Sequence, residues 1–311
     1  MVFRAFRTVS VTRSNPAMAT PHHTGRERLC GLSMALAAAL MLVSGGPGPA
    51  RAEDAESAAA AASTNAAASW ECLTMQPVLA VNGKLSHTAA HLASGNHLTI
   101  LAIGSSTTAG VGTSSPAAAY PAQLEARLEE KLPLVHIDMH ASGIGGETAV
   151  QTLTRLQKEV VALKPDLVIW QVGTNDALTT VGEDNFRTLV ERGIAATVAA
   201  GADLILLDQQ FFPAIRDPAR YERFVKLVTD IGLRTKTCVF SRYALMKAWG
   251  HQSATLLQAM LASDGFHMSD RGHACMARLL SREILRAARQ GMKPVAALTP
   301  TGENAQAPVT R

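Results

Sequence analysis

The hydrophobic positions of this chain follow two alternating rhythms. Short apolar runs, mostly of Leu, Ile and Val, stand at Leu98–Ile103, Val135–Met139, Leu167–Val172, Leu204–Leu207 and Thr237–Phe240. Runs of this length and composition predict strands buried on both faces. Between them apolar residues recur at helical spacing. Tyr120, Leu124 and Leu128 form one stripe, with Pro121 suited to a first helical turn. Val150, Leu153, Leu156 and Val160 form a second, and Phe186, Leu189, Val190, Gly193 and Ile194 a third. Met276, Leu279, Leu280 and Ile284 form the last, with Ser269 placed to cap its start. This β-α alternation predicts a parallel sheet with helices on both faces. In such sheets sites lie at the carboxyl ends of the strands.

Composition places these elements in one domain, residues 70–290. The chain has 311 residues, 47% hydrophobic and 17% charged, enough for a sizeable core. Its formal charge of +4 belongs to the first 52 residues, which hold six arginines and one glutamate. The remaining 23 basic and 24 acidic residues nearly balance, so no nucleic-acid partner is expected. Residues 1–52 read as an export signal: arginines, an apolar run from Leu32 to Val43, then Ala50-Arg51-Ala52 as a cleavage site. That run is shorter than the roughly 20 residues a membrane-spanning helix needs. A periplasmic or secreted protein without stable membrane insertion is therefore expected. The Ala-rich stretch 53–69 reads as a disordered tether, and 291–311 as a loose tail.

Of the four cysteines, Cys30 lies in the leader. Cys238 falls in a predicted strand and Cys275 on an apolar helix stripe, so both read as small core residues. Cys72 is a candidate to pin the N-terminal segment, with no partner assignable. There is no Cys-x-x-Cys, and no metal or other cofactor is expected.

The informative polar residues cluster at strand ends. Ser105 and Ser106 follow the first strand, in "GSSTTAG". Gly143, Gly145 and Gly146 follow the second in "SGIGGET", and "GTND" at 173–176 follows the third. "DGFH" at 264–267 comes late in the chain. Together these supply a hydroxyl, backbone donors, an amide side chain, and a carboxylate three residues before an imidazole. Ester cleavage by a serine needs those parts. A base must take the weakly acidic hydroxyl proton, and a carboxylate must hold the imidazole in the useful tautomer. N–H donors must meet the negative oxygen of the tetrahedral intermediate.

In their order, "GSS", "IGGET", "GTND" and "DGFH" resemble the successive blocks of the SGNH/GDSL hydrolases. The resemblance implies a three-layer α/β/α, flavodoxin-like fold with a five-stranded parallel sheet. It implies Ser106 as nucleophile, His267 as base and Asp264 as its partner. The oxyanion hole would comprise the N–H groups of Ser106 and Gly146 and the side chain of Asn175. Two positions depart from the family pattern. Ser105 stands where block one usually has Asp, which makes Ser105 a rival nucleophile. Ala141 stands where block two usually has Asn.

The expected activity is an exported serine esterase acting through an acyl-enzyme. Small residues crowd Ala109–Ala119 and no long apolar lid is visible, which points to short acyl groups, acetyl above all, on a carbohydrate. Two alternatives stay open: a lysophospholipase or thioesterase taking longer chains, and a non-catalytic glycan-binding envelope module. Several other residues invite structural readings. Asp176 is expected to cap the next turn or brace the serine loop. His87 and His91 read as an incidental helical pair, because Thr88 stands where a metalloprotease motif needs glutamate. His273 reads as a packing or surface residue. Gln209–Pro213 either shapes the substrate pocket or is a packed loop.

Overall fold

A computed structural model describes residues 84–95 and 97–291, together with Cys72 and the strand at 79–80. The expected signal at 1–52, the tether at 53–69 and nearly all of the 291–311 tail lie outside the described residues.

Five parallel strands form the sheet: β2 (His97–Gly104), β3 (His136–Gly143), β4 (Leu167–Gln171), β5 (Asp203–Leu207) and β6 (Cys238–Phe240). A sixth strand, β1 (Leu79–Ala80), pairs antiparallel with β6 and extends the expected five-stranded sheet at that edge. The spatial order is β1-β6-β5-β4-β2-β3. The chain thus leaves β2 for β3 on one side, then crosses back to β4 on the other. That reversal opens a crevice at the carboxyl end of β2, where doubly wound sheets bind their ligands.

Period-two alternation along the central strands feeds two cores. Leu98, Ile100, Ala102, Leu167, Ile169, Ile205 and Leu207 face one side, with α2 (Tyr120–Lys131) and α9 (Asp270–Gly291). Leu101, Ile103, Val168, Trp170, Leu204 and Leu206 face the other, with α3 (Ala149–Leu163), α5 (Glu183–Ala199) and α6 (Pro218–Thr235). Gly193 lets α5 approach closely, for a Cβ there would lie 2.1 Å from the Trp170 ring. The remaining helices are α1 (Ser86–Ser94), α4 (Thr174–Leu178), α7 (Arg242–Gln252) and α8 (Ala254–Met260).

The expected helix stripes are buried, except that Val150 is 46% exposed in the first turn of α3. Ser269 caps α9, its Oγ accepting the Gly272 N–H at 3.3 Å. Two expectations need correction. β3 is not buried on both faces: it is an edge strand, and only Ile137 of its eight residues is buried. Cys275 is not simply a core residue. It forms a disulfide with Cys72 across 203 residues. Its position on the inner face of α9 suits both packing and bridging, and spacing alone does not separate the two. Among the described residues no helix is long and apolar enough to cross a membrane.

Candidate active site

Parallel pairing brings the candidate blocks to one end of the sheet. Gly104 lies opposite Gly143, and Ile103 opposite Trp170. The turns after β2, β3 and β4 therefore emerge side by side.

The two serines after β2 have different environments. Ser105 is buried, and its Oγ accepts from Gln171 Nε2 at 2.9 Å while its N–H donates to Gln171 Oε1 at 2.8 Å. Ser106 is half-buried at the head of the turn. The turn folds back on itself, with the Val111 N–H donating to the Ser106 carbonyl at 2.9 Å. Gly143 makes this approach possible, since a Cβ there would fall 2.1 Å from the Ala109 nitrogen.

The oxyanion candidates come from the next two turns. A Cβ on Gly145 would lie 4.0 Å from Ser106 Cβ, so the glycine loop stands against the serine. Gly146 has φ +81°, a left-handed conformation that suits glycine. Asn175 lies in the first turn of α4 and donates from Nδ2 to the Glu147 carbonyl at 2.7 Å. That bond ties the Asn175 amide to the residue after Gly146, and the amide carries a second N–H.

Asp264 and His267 sit between α8 and α9. Asp264 Oδ2 lies 2.6 Å from His267 Nδ1, and Oδ1 accepts the backbone N–H groups of Phe266 and His267 at 2.9 Å each. Burial opposes ionisation of Asp264, but these hydrogen bonds outweigh it and hold its pKa below the usual carboxylate range. The ring is thereby oriented with Nε2 as its remaining nitrogen. The histidine loop meets the serine loop at Gly112, where a Cβ would fall 2.8 Å from His267 Cβ. A second link runs from Thr107 Oγ1 to Gln210 Oε1 at 3.3 Å, and from Gln210 Nε2 to the Phe266 carbonyl at 2.9 Å. Ser106, Gly146, Asp264 and His267 thus belong to loops that adjoin one another, with Asn175 tied to the glycine loop from the first turn of α4.

Several supporting residues escaped the sequence reading. Gln171 pins the serine turn, and its signal was a polar residue ending an otherwise apolar strand. Arg155 on α3 makes a two-pronged pair with Glu147, donating from Nη2 at 2.6 Å and from Nε at 3.0 Å. It also donates to the Gly104 carbonyl at 3.1 Å and to Ser142. Arg155 therefore clamps the glycine loop to the end of β2. Asp176 caps a helix, but not the next one. Its carboxylate accepts the Ala149 N–H at the start of α3 at 2.9 Å. Burial raises its pKa to about 6, against the lowering effect of that bond.

The remaining polar candidates are structural. His91 Nε2 pairs with Asp166 at 3.0 Å. His273 is fully buried and accepts the Tyr120 N–H on Nδ1 at 3.0 Å. Gln209, Gln210 and Phe212 are buried, Phe211 is half-buried and Pro213 is exposed, so most of the segment after β5 is packed inward. A groove of about 400 Å³ runs beside the serine turn, between Ala109, Ala119, Ala122, Met139 and Ala141, with Glu125 at its wall.

The sequence profile of the non-GDSL lipase-like family matches residues 71–290. An acetylxylan esterase of Geobacillus stearothermophilus is 27% identical over 178 residues, covering 53% of this chain and 80% of its own. The solved structure of an acetylxylan esterase from the same organism superposes with a TM-score of 0.51 at 26% identity, covering 60% of this chain and 94% of its own. A two-domain esterase active on acetylated mannans superposes with a TM-score of 0.57 at 19% identity, a likeness of fold. The alignment covers 71% of this chain and 59% of that larger protein. The chain belongs to the non-GDSL lipase-like family, is an SGNH/GDSL-like hydrolase, and is a carboxylic ester hydrolase.

Proposed function

We propose that this protein is an exported serine esterase that removes short acyl groups, acetyl above all, from a carbohydrate. The observation that carries this reading is the Asp264–His267 pair at 2.6 Å, set against the loop that presents Ser106.

In the proposed reaction Ser106 Oγ attacks the ester carbonyl carbon while His267 Nε2 takes its proton. Asp264 holds the Nδ1–H and stabilises the imidazolium that forms. The carbonyl oxygen becomes an anion facing the N–H groups of Ser106, Gly146 and Asn175. Collapse of the tetrahedral intermediate expels the sugar hydroxyl, which receives the proton from His267. Water, deprotonated in turn by His267, then attacks the acyl-serine and releases the carboxylic acid.

The substrate class draws support from the acetylated-polysaccharide esterases among the relatives. The leader read at 1–52 supports export.

The test is hydrolysis of p-nitrophenyl esters of two to twelve carbons, with acetylated xylan and a lysophospholipid as natural-type substrates. Activity greatest at acetate, acetate release from xylan, and loss of both in Ser106→Ala are expected. A maximum at long chains would move the substrate to lipids. Glycan binding with no turnover and no fluorophosphonate labelling would overturn the proposed serine mechanism.

A further inference from the structure

One charged side chain lies beneath the candidate site with no role assigned so far. Arg242, in the first turn of α7, is completely buried. Its Nη1 donates to Thr107 Oγ1 at 2.7 Å and approaches Gln210 Oε1 at 3.4 Å. Its Nη2 donates to Thr174 Oγ1 at 3.3 Å, and its Nε donates to the Asp208 carbonyl at 3.1 Å.

Thr107 and Thr174 each neighbour a proposed site residue, since Thr107 follows Ser106 and Thr174 precedes Asn175. Gln210 completes the pattern by donating to the carbonyl of Phe266, which precedes His267. One planar, rigid group therefore reaches three turns that come from distant parts of the chain. We propose that Arg242 is a positioning residue, whose guanidinium fork sets the nucleophile, the oxyanion donor and the base in register with one another. This inference rests on the serine-esterase reading above.

Physical cost supports a positional role over a merely cohesive one. A buried cation loses its hydration, and a well-packed apolar side chain in the same place is often as stable. The nearby Asp208 carboxylate is also fully buried, and is held by Ser241 Oγ at 2.8 Å and the Tyr243 N–H at 2.9 Å. Its carboxylate makes no direct side-chain pair to the fork. What the arginine adds over an apolar residue is five donors in fixed directions. Arg242 directs these at two hydroxyls, an amide oxygen and a backbone carbonyl, and the two hydroxyls belong to residues adjacent in the chain to Ser106 and Asn175. A displacement of about 1 Å at a reacting centre costs on the order of 100-fold in rate.

The test compares Arg242→Met and Arg242→Lys with wild type on p-nitrophenyl acetate. Active sites are titrated with a fluorophosphonate, and Tm is measured in parallel. Arg242→Met is expected to lower kcat per titrated site by about 30-fold or more with KM changed less than about threefold. Arg242→Lys, which keeps the charge but not the fork, should fall between. Should Arg242→Met not fold, Thr107→Val and Thr174→Val cut single arms of the fork. Each is then expected to lower kcat about threefold to tenfold. Folded variants that all keep kcat within about twofold of wild type would overturn the proposal, as would loss that follows only the folded fraction. Ser106→Ala is run beside them. Activity persisting in Ser106→Ala overturns the assignment of Ser106 as nucleophile on which this inference rests, whereas a dead Ser106→Ala with active Arg242 variants overturns only the positioning role.

Discussion

Ser105 and Gln171 satisfy each other reciprocally: the Ser105 N–H donates to Gln171 Oε1, and Gln171 Nε2 donates to Ser105 Oγ. The hydroxyl that competes with Ser106 in the sequence is therefore engaged by a strand side chain and buried. Ser105→Ala is expected to keep kcat within about tenfold of wild type, because it loses one hydrogen bond of about 1 kcal/mol. Ser106→Ala should lose on the order of a thousandfold or more. Rates of p-nitrophenyl acetate hydrolysis for the two variants decide between the serines, and the opposite ranking would move the nucleophile to Ser105.

The oxyanion donors are expected to matter mainly for kcat. Asn175→Ala removes a side-chain donor and should lower kcat about 100-fold to 1,000-fold, with a small change in KM. Gly146→Ala tests the backbone donor differently. Nothing lies within 4 Å of its added Cβ, so any penalty comes from the φ of +81° and not from a clash. A left-handed alanine costs about 1–2 kcal/mol, and relief of that strain would turn the Gly146 N–H. Kinetics and Tm for both variants check this, and an Asn175→Ala enzyme with unchanged kcat would remove the side chain from the hole.

Much of the fold was legible because it depends on local rhythm. Alternation such as Leu98, Ile100 and Ala102 against Leu101 and Ile103 reveals a strand with two covered faces before any neighbour is known. The site blocks were legible for a related reason, since Asp264 and His267 are close in the chain and close in space. β1 was missed because a two-residue pair carries no period. The stripe of α6 was present in Tyr221, Phe224, Val228 and Ile231, with Asp217-Pro218 as a start signal, but was not read. Arg155 and Arg242 were invisible for a deeper reason. Each acts across dozens of residues, and an isolated arginine on a helix looks the same whether it reaches solvent or a catalytic turn.

The Cys72–Cys275 bridge closes a loop spanning 203 residues, nearly the whole domain. Constraint of the unfolded chain by such a bridge is worth about 2–5 kcal/mol. Cys275→Ser is expected to lower stability by that amount while leaving kcat at 25 °C nearly unchanged, because neither cysteine is among the proposed site residues. Reduction of the wild type should produce a comparable fall in Tm. Denaturant unfolding of oxidised, reduced and Cys275→Ser protein tests this, and equal midpoints for all three would show that the bridge does not contribute.

His273 makes stability depend on pH in a direction that can be worked out. Burial, reinforced by the Arg242 charge, pushes its pKa down to about 4. An unfolded histidine titrates near 6.5. Between about pH 6.5 and 4 the unfolded chain therefore takes up a proton that the folded chain refuses. The contribution of neutral His273 is full above about pH 6.5 and is lost progressively as pH falls towards 4, where the loss amounts to about 3 kcal/mol. Asp176 and Asp208 act in the opposite sense, because burial raises their pKa values to about 6 and 7, and folding is favoured as they protonate. A wild-type profile alone would mix these effects. His273→Gln separates them, since its amide oxygen still accepts the Tyr120 N–H and does not titrate, while both aspartates remain. The expected outcome is that wild type is the more stable protein at pH 8. Its advantage in Tm should shrink steadily below pH 6.5, by about 6–12 °C at pH 4. A difference that stays constant across that range would mean that His273 titrates alike in the folded and unfolded chains.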